Sequence, residues 1–74
     1  MKITKAQAIK VGNRLGVNWK EVDVNEFTKG MNVELEHRDV TKGNLLLTGK
    51  IALAHLREWS DYYTRLQKME RGKR

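Results

Sequence analysis

No proline occurs anywhere in this chain, and its six glycines stand singly, so nothing forces a helix to break and the informative signals are those that start and stop one. Thr4 and Gln7 form the first such signal. The threonine hydroxyl can accept the backbone N–H of Gln7 while the glutamine side chain reaches back, with Ile3 and Ala8 flanking the pair as a hydrophobic staple. The spacing predicts a helix over 5–15, with Ala8, Val11, Gly12 and Leu15 on its inner stripe and Lys5, Lys10 and Arg14 away from it. Gly16 then supplies the left-handed residue that ends a helix, and Val17 packs back on the last turn.

Asp23 and Glu26 repeat the box with Val22 and Phe27 as its staple, which predicts a second helix over 24–38. Val24, Phe27, Met31 and Leu35 share its core stripe, with Glu34 and Arg38 at the margin. Gly30 marks a close approach by another helix, since inside a helix it costs about 1 kcal/mol relative to alanine. Residues 39–47 lose periodicity. Thr41-Lys42-Gly43-Asn44 reads as a turn, and Leu45-Leu46-Leu47 is too short to distinguish strand from packed loop. Thr48 is the expected cap of a third helix that runs through Trp59, with Ile51, Ala52, His55, Leu56 and Trp59 on its stripe. Ser60 is the expected cap of a fourth, with Asp61 at its positive end and Tyr62, Leu66 and Met69 as its contact line.

These elements amount to an all-α bundle of three long helices and a short or merged fourth. Its expected core is Leu15, Phe27, Met31, Leu35, Ile51, Leu56, Trp59, Leu66 and Met69. With 74 residues there is room for one core, because two halves would each fall below the roughly 40 residues at which a core stands alone. One helical domain over 1–74 is therefore expected, with a flexible basic tail at about 71–74.

Composition narrows the chemistry. Cysteine is absent, which excludes disulfides, thiolate catalysis and thiolate metal sites. The longest apolar runs are three or four residues, too short for a membrane span, and Met1-Lys2-Ile3-Thr4-Lys5 opens no signal peptide. The net charge of +6 is uneven: residues 1–30 carry six cations and three acids, residues 31–60 four of each, and residues 61–74 five cations against two acids. Basic ends of this kind attract nucleic acid or an acidic protein, or serve solubility alone.

Gly43 to Lys50 invites comparison with a phosphate-binding loop but fails it, since five residues separate the glycines where four are required and Ile51 replaces the magnesium-binding hydroxyl. Glu34-x-x-His37 and His55-x-x-Glu58 each place a carboxylate and an imidazole on one helical face. Two such pairs facing each other would suit a divalent metal. Metal-binding bundles of this kind add further glutamates, however, and here the second pair runs in reverse order. The simpler expectation is that His55 bonds Glu34 or Glu36 across the helix pair, with no metal or other cofactor. No nucleophile–base pair is recognisable, so an enzyme is not expected. Of the large aromatic side chains, Trp59 and Tyr62 fall on inner stripes, whereas Trp19, beside Lys20, and Tyr63 are open to contact roles. A DNA-reading helix over 49–59 is unpersuasive, because Lys50 and Arg57 are its only cations.

Val33-Glu34-Leu35-Glu36-His37, then Leu47-Thr48-Gly49-Lys50-Ile51-Ala52-Leu53-Ala54-His55-Leu56 with Glu58, then Asp61-Tyr62-Tyr63-Thr64-Arg65-Leu66 with Lys68-Met69-Glu70, together resemble a family of small uncharacterised proteins carried by bacteriophages and bacterial genomes. The resemblance spans about residues 6–70. It implies a phage or prophage setting and no defined activity. Relatives of that kind tend to carry a longer, more acidic loop before Leu45 and a proline where Ser60 stands. The shorter cationic loop here argues against cation binding and for an anionic partner.

The expected function is that of a non-enzymatic, phage-associated accessory protein that binds a larger protein assembly, a virion component or a host target, through one helical face. Its expected location is the host cytoplasm or the virion. The alternative is sequence-independent nucleic-acid binding through the basic first helix and the tail, and a small helical metal protein using Glu34, His37, His55 and Glu58 comes third. Contact candidates are Lys5, Lys10, Arg14, Trp19, Lys20, Tyr63, Arg65, Lys68, Arg71, Lys73 and Arg74. A homo-oligomer through Val33, Leu53 or Leu45 to Leu47 also fits, because these side chains lie off the core stripes.

Overall fold

The computed structural model describes residues 2–36 and 44–72, and among them every regular element is a helix. In chain order these are α1 (Lys5–Arg14), α2 (Val24–Leu35), α3 (Leu45–Glu58) and α4 (Tyr62–Gly72). α2 and α3 form the central pair. α1 packs on both of them and so does α4, yet α1 and α4 do not touch. Two helices lying side by side offer two grooves, and the outer helices take one each.

The ends of α1 follow from local sequence. Thr4 and Gln7 satisfy each other's backbone in a full capping box. At the other end Gly16 takes φ +75°, Val17 N–H donates to Gly12 O at 2.9 Å and Gly16 N–H donates to Asn13 O at 3.1 Å. That pair of bonds is a complete Schellman ending, which requires the left-handed residue that glycine supplies without strain. The chain before α1 is pinned as well. Asn32 accepts the Ile3 N–H at 2.7 Å and donates to the Ile3 carbonyl at 3.0 Å, and the Ile3 side chain is buried.

Three expected caps change. Asp23 accepts the N–H groups of Asn25 and Glu26 as anticipated, but Glu26 does not reach back, because its carboxylate is engaged on α4. Thr48 does not begin α3. Asn44 does, accepting the Leu47 N–H at 3.0 Å, so the leucine triplet is the first helical turn. Thr48 is then fully buried inside the helix, its hydroxyl donating to Asn44 O at 2.7 Å. Ser60 lies two residues ahead of α4, which starts at Tyr62, too far out to cap it. α2 ends at Leu35 with Glu36 as its C-cap. Its expected continuation to 38 and most of the Thr41–Asn44 turn lie outside the described residues.

The core is Ile3, Ala8, Val11, Phe27, Met31, Leu35, Ala52, Leu53, Leu56 and Tyr63. Leu15 and Leu66 pack against it half-buried, and Ile51 is half-buried too. Trp59 and Met69, both expected inside, are 57% and 62% exposed. Trp59 has left the helical path, with φ −139° and ψ 119°, so the α3 stripe cannot be extrapolated to it. Leu53, expected outside, is buried because the central position of α3 widens its covered face.

Candidate interaction surface

α4 is fastened to α2 by two carboxylates. Glu26, Gly30 and Glu34 fall four residues apart and so line one face of α2. Glu26 Oε1 accepts the Thr64 N–H and Oε2 accepts the Thr64 hydroxyl, both at 2.6 Å. A glutamate from one helix thus takes an otherwise unpaired N–H in the first turn of another. One turn along, the Tyr63 ring lies on the bare backbone of Gly30, where an added Cβ would collide with Tyr63 Cε2. Its hydroxyl donates to Glu34 Oε2 at 2.8 Å. Burial, and then the hydrogen bond to the Glu34 carboxylate, push the Tyr63 phenol well above its ordinary range.

With Tyr63 committed inward, Tyr62 is turned about 100° away; it packs half-buried against the core, as its inner stripe implied, and its ring lines the corner between α3 and α4. Its ring lies 4.6 Å from the His55 ring and 6.5 Å from Trp59, the latter nearly parallel at 30°. The Arg65 guanidinium sits 5.3 Å from the centre of the Trp59 ring, and its Nε donates to Asp61 Oδ1 at 2.8 Å. The result is an exposed aromatic ledge with a fixed cation on it. Leu47, Trp59 and Met69 are the large exposed apolar side chains among the described residues, and all three lie on α3, α4 or the link between them.

The three metal candidates among the described residues, Glu34, His55 and Glu58, do not converge. Glu34 is taken by Tyr63. His55 Nδ1 lies 2.8 Å from Ile51 O, and because a carbonyl only accepts, the proton sits on Nδ1. The expected bond from His55 to Glu34 or Glu36 is therefore replaced by two separate ones, with Tyr63 intervening. Glu58 is exposed, His37 lies outside the described residues, and among those described no three His, Cys, Asp or Glu side chains gather as metal ligands would.

The contact candidates divide. Lys5, Lys10, Arg14 and Lys20 are exposed at α1 and its exit, and Arg65 and Lys68 are exposed on α4. Arg71 belongs to α4 by its backbone, and Lys73 and Arg74 lie outside the described residues. Since α1 and α4 do not touch, the exposed cations of the first helix and the described cations of α4, Arg65 and Lys68, stand on separate elements. Trp19 is a packing residue: its Nε1–H donates to Asn13 Oδ1 at 2.8 Å and its ring meets Phe27 edge-on at 5.5 Å. Tyr63 is 1% exposed and is no contact residue. Leu53 is buried, and Val33, Leu45 and Leu46 are half-buried, which leaves Leu47 alone of the proposed oligomer face. The sequence gives no sign of Glu26 on Thr64, a pairing 38 residues apart.

A cleft of about 620 Å³ between α2 and α4 is lined in part by Lys2, Lys29, Asn32 and Tyr63. Of its polar lining residues, Asn32 is engaged by Ile3 and Tyr63 by Glu34. No helix among the described residues is long and apolar enough to cross a membrane.

A family model described as "Protein of unknown function (DUF5661)" matches residues 8–72. No curated protein and no solved structure matches the chain.

Proposed function

Because the chain belongs to the DUF5661 family, whose description assigns no activity, we infer the role from the surface: a non-enzymatic accessory protein that docks through the α3–α4 corner onto a larger protein assembly. In the phage setting that the sequence resemblance implies, that assembly is a virion component or a host target, met in the particle or in the host cytoplasm. The supporting observation is Trp59. Burying a large apolar side chain stabilises a fold by about 1.5–3 kcal/mol, and this small domain forgoes that gain at the larger of its aromatic residue types. Trp, Tyr and Arg are also the types that dominate binding hot spots. Here Asp61 and the Trp59 ring hold Arg65 in place before any partner arrives, which lowers the ordering cost of association. The titratable side chains nearby are engaged structurally, Glu34 by Tyr63 and His55 by Ile51, which favours a binding role over acid–base chemistry.

A photo-reactive amino acid at position 59 in producing cells identifies the partner by crosslinking. Titration of the purified partner then decides the matter. Trp59→Ala is expected to weaken binding by roughly 30-fold, the loss typical of a hot spot of about 2 kcal/mol, with helicity unchanged. Equal affinity for Trp59→Ala and the unaltered chain overturns the proposal.

A further inference from the structure

We propose that the outer face of α1 binds the phosphate backbone of nucleic acid without regard to sequence, giving the protein a second docking face opposite the α3–α4 corner. Residues 1–20 carry five cations and no acid. On α1 itself the side chains of Lys5, Ala6, Gln7, Lys10, Asn13 and Arg14 are all exposed, and the one ion pair among the described residues, Arg65 with Asp61, is elsewhere. Lys10 and Arg14 stand one turn apart. Lys5 lies nine residues before Arg14, half a turn around the helix at about 100° per residue, so it flanks this face and does not lengthen its row of cations. Lys10 and Arg14 span about 6 Å of axis, over which one strand presents about two phosphates, at about 3.4 Å of axis each.

The two amides on this face sharpen its polarity. Gln7 Oε1 accepts the Thr4 N–H at 2.9 Å and Asn13 Oδ1 accepts the Trp19 indole N–H at 2.8 Å. Both acceptor oxygens are spent inside the protein, which leaves the NH₂ donors beside the cations. A surface of cations and donors suits phosphate oxygens, which only accept, and phosphate contacts position a protein without reading sequence. An acidic protein partner fits less well. Protein interfaces close over an apolar centre, and the large exposed apolar side chains, Leu47, Trp59 and Met69, are not on α1.

The test is fluorescence anisotropy of the full chain with a labelled 16-base-pair duplex and a 16-nucleotide oligo-dT, from 50 to 200 mM KCl. At about 0.9 per neutralised phosphate on duplex, two contacts from Lys10 and Arg14 and a third from a flanking lysine give a log–log salt slope of roughly −2 to −3. Lys10→Gln/Arg14→Gln is expected to reduce that slope by about 2 and to weaken binding at least tenfold at 100 mM KCl, with unchanged circular dichroism. Trp59→Ala is expected to alter neither, which separates this face from the α3–α4 corner. The proposal is overturned by a slope that survives in Lys10→Gln/Arg14→Gln, by loss of binding on changing Arg71, Lys73 and Arg74 to Gln, or by absence of binding at 50 mM KCl. Competition by polyglutamate equal, per charge, to that of unlabelled duplex also overturns it, in favour of an acidic protein partner.

Discussion

Tyr62 and Tyr63 are chain neighbours with opposite roles, and the difference is set by what lies across from each. Tyr63 meets Gly30, the one place on that face of α2 with no side chain, and finds Glu34 for its hydroxyl. Tyr62 meets His55 and Trp59 at the surface. The close approach at Gly30 was legible from a helix-interior glycine. Which tyrosine would use it was not, because Tyr62 and Leu66 of the expected contact line also pack half-buried against the core, and only Met69 of that line stands exposed. α4 docks mainly through its first turns, too short a stretch for periodicity to fix the phase. The Tyr63 phenol carries a pH signature. Its folded pKa is raised above the ordinary value of 10.0, so above about pH 10 the unfolded chain releases a proton that the folded one retains. Stability contributed by the neutral phenol is full below pH 10 and is lost as pH rises beyond it, by up to about 1.4 kcal/mol per pH unit. Tyr63→Phe is expected to be less stable than the unaltered chain by about 1 kcal/mol at pH 8, having lost one hydrogen bond. That gap should narrow in urea titrations at pH 10.5 and 11. A constant gap would mean that the phenol is not held neutral by the fold.

At the scale of elements, what the sequence revealed tracks how local each signal is. The box at Thr4 and Gln7 and the Gly16 ending of α1 use partners within five residues, and both formed as expected. The box at Asp23 and Glu26 has the same spelling, yet only Asp23 caps α2, because Thr64, far away in sequence, offers Glu26 two donors. For α3 both Asn44 and Thr48 are competent caps, and the choice falls on Asn44 because starting there brings Leu45 and Leu46 against the core. Thr48 then satisfies its hydroxyl on the preceding turn. These assignments predict different costs for similar-looking substitutions. Asn44→Ala removes a working cap and is expected to destabilise by about 0.5–2 kcal/mol, whereas Ser60→Ala is expected to stay within about 0.5 kcal/mol. Urea midpoints of the two variants compare them directly, and equal midpoints would mean that Asn44 does not carry the start of α3.

For the whole molecule, the arrangement of helices matters more than their number. Placing α1 and α4 in opposite grooves of the α2–α3 pair separates the cationic face of α1 from the aromatic ledge beside α4, so a charge count that pooled both ends could not foresee two surfaces. It also leaves the two tryptophans in different surroundings. Trp19 is wedged over Gly12 and Phe27, and Trp59 stands in solvent beside Arg65. Trp19→Phe therefore isolates Trp59 as a reporter, and the neighbouring guanidinium should bias its quenching. At low salt iodide, an anion, is expected to quench Trp59 more efficiently than caesium. The bias should collapse as salt rises, because the screening length falls from about 10 Å at 0.1 M to about 3 Å at 1 M. Trp59→Phe, which leaves Trp19, should show weak quenching by both ions. A partner seated on the α3–α4 corner would shield Trp59 from iodide and caesium alike. Nucleic acid on α1 would leave the quenching of Trp59 unchanged, so one fluorophore tells which face is occupied.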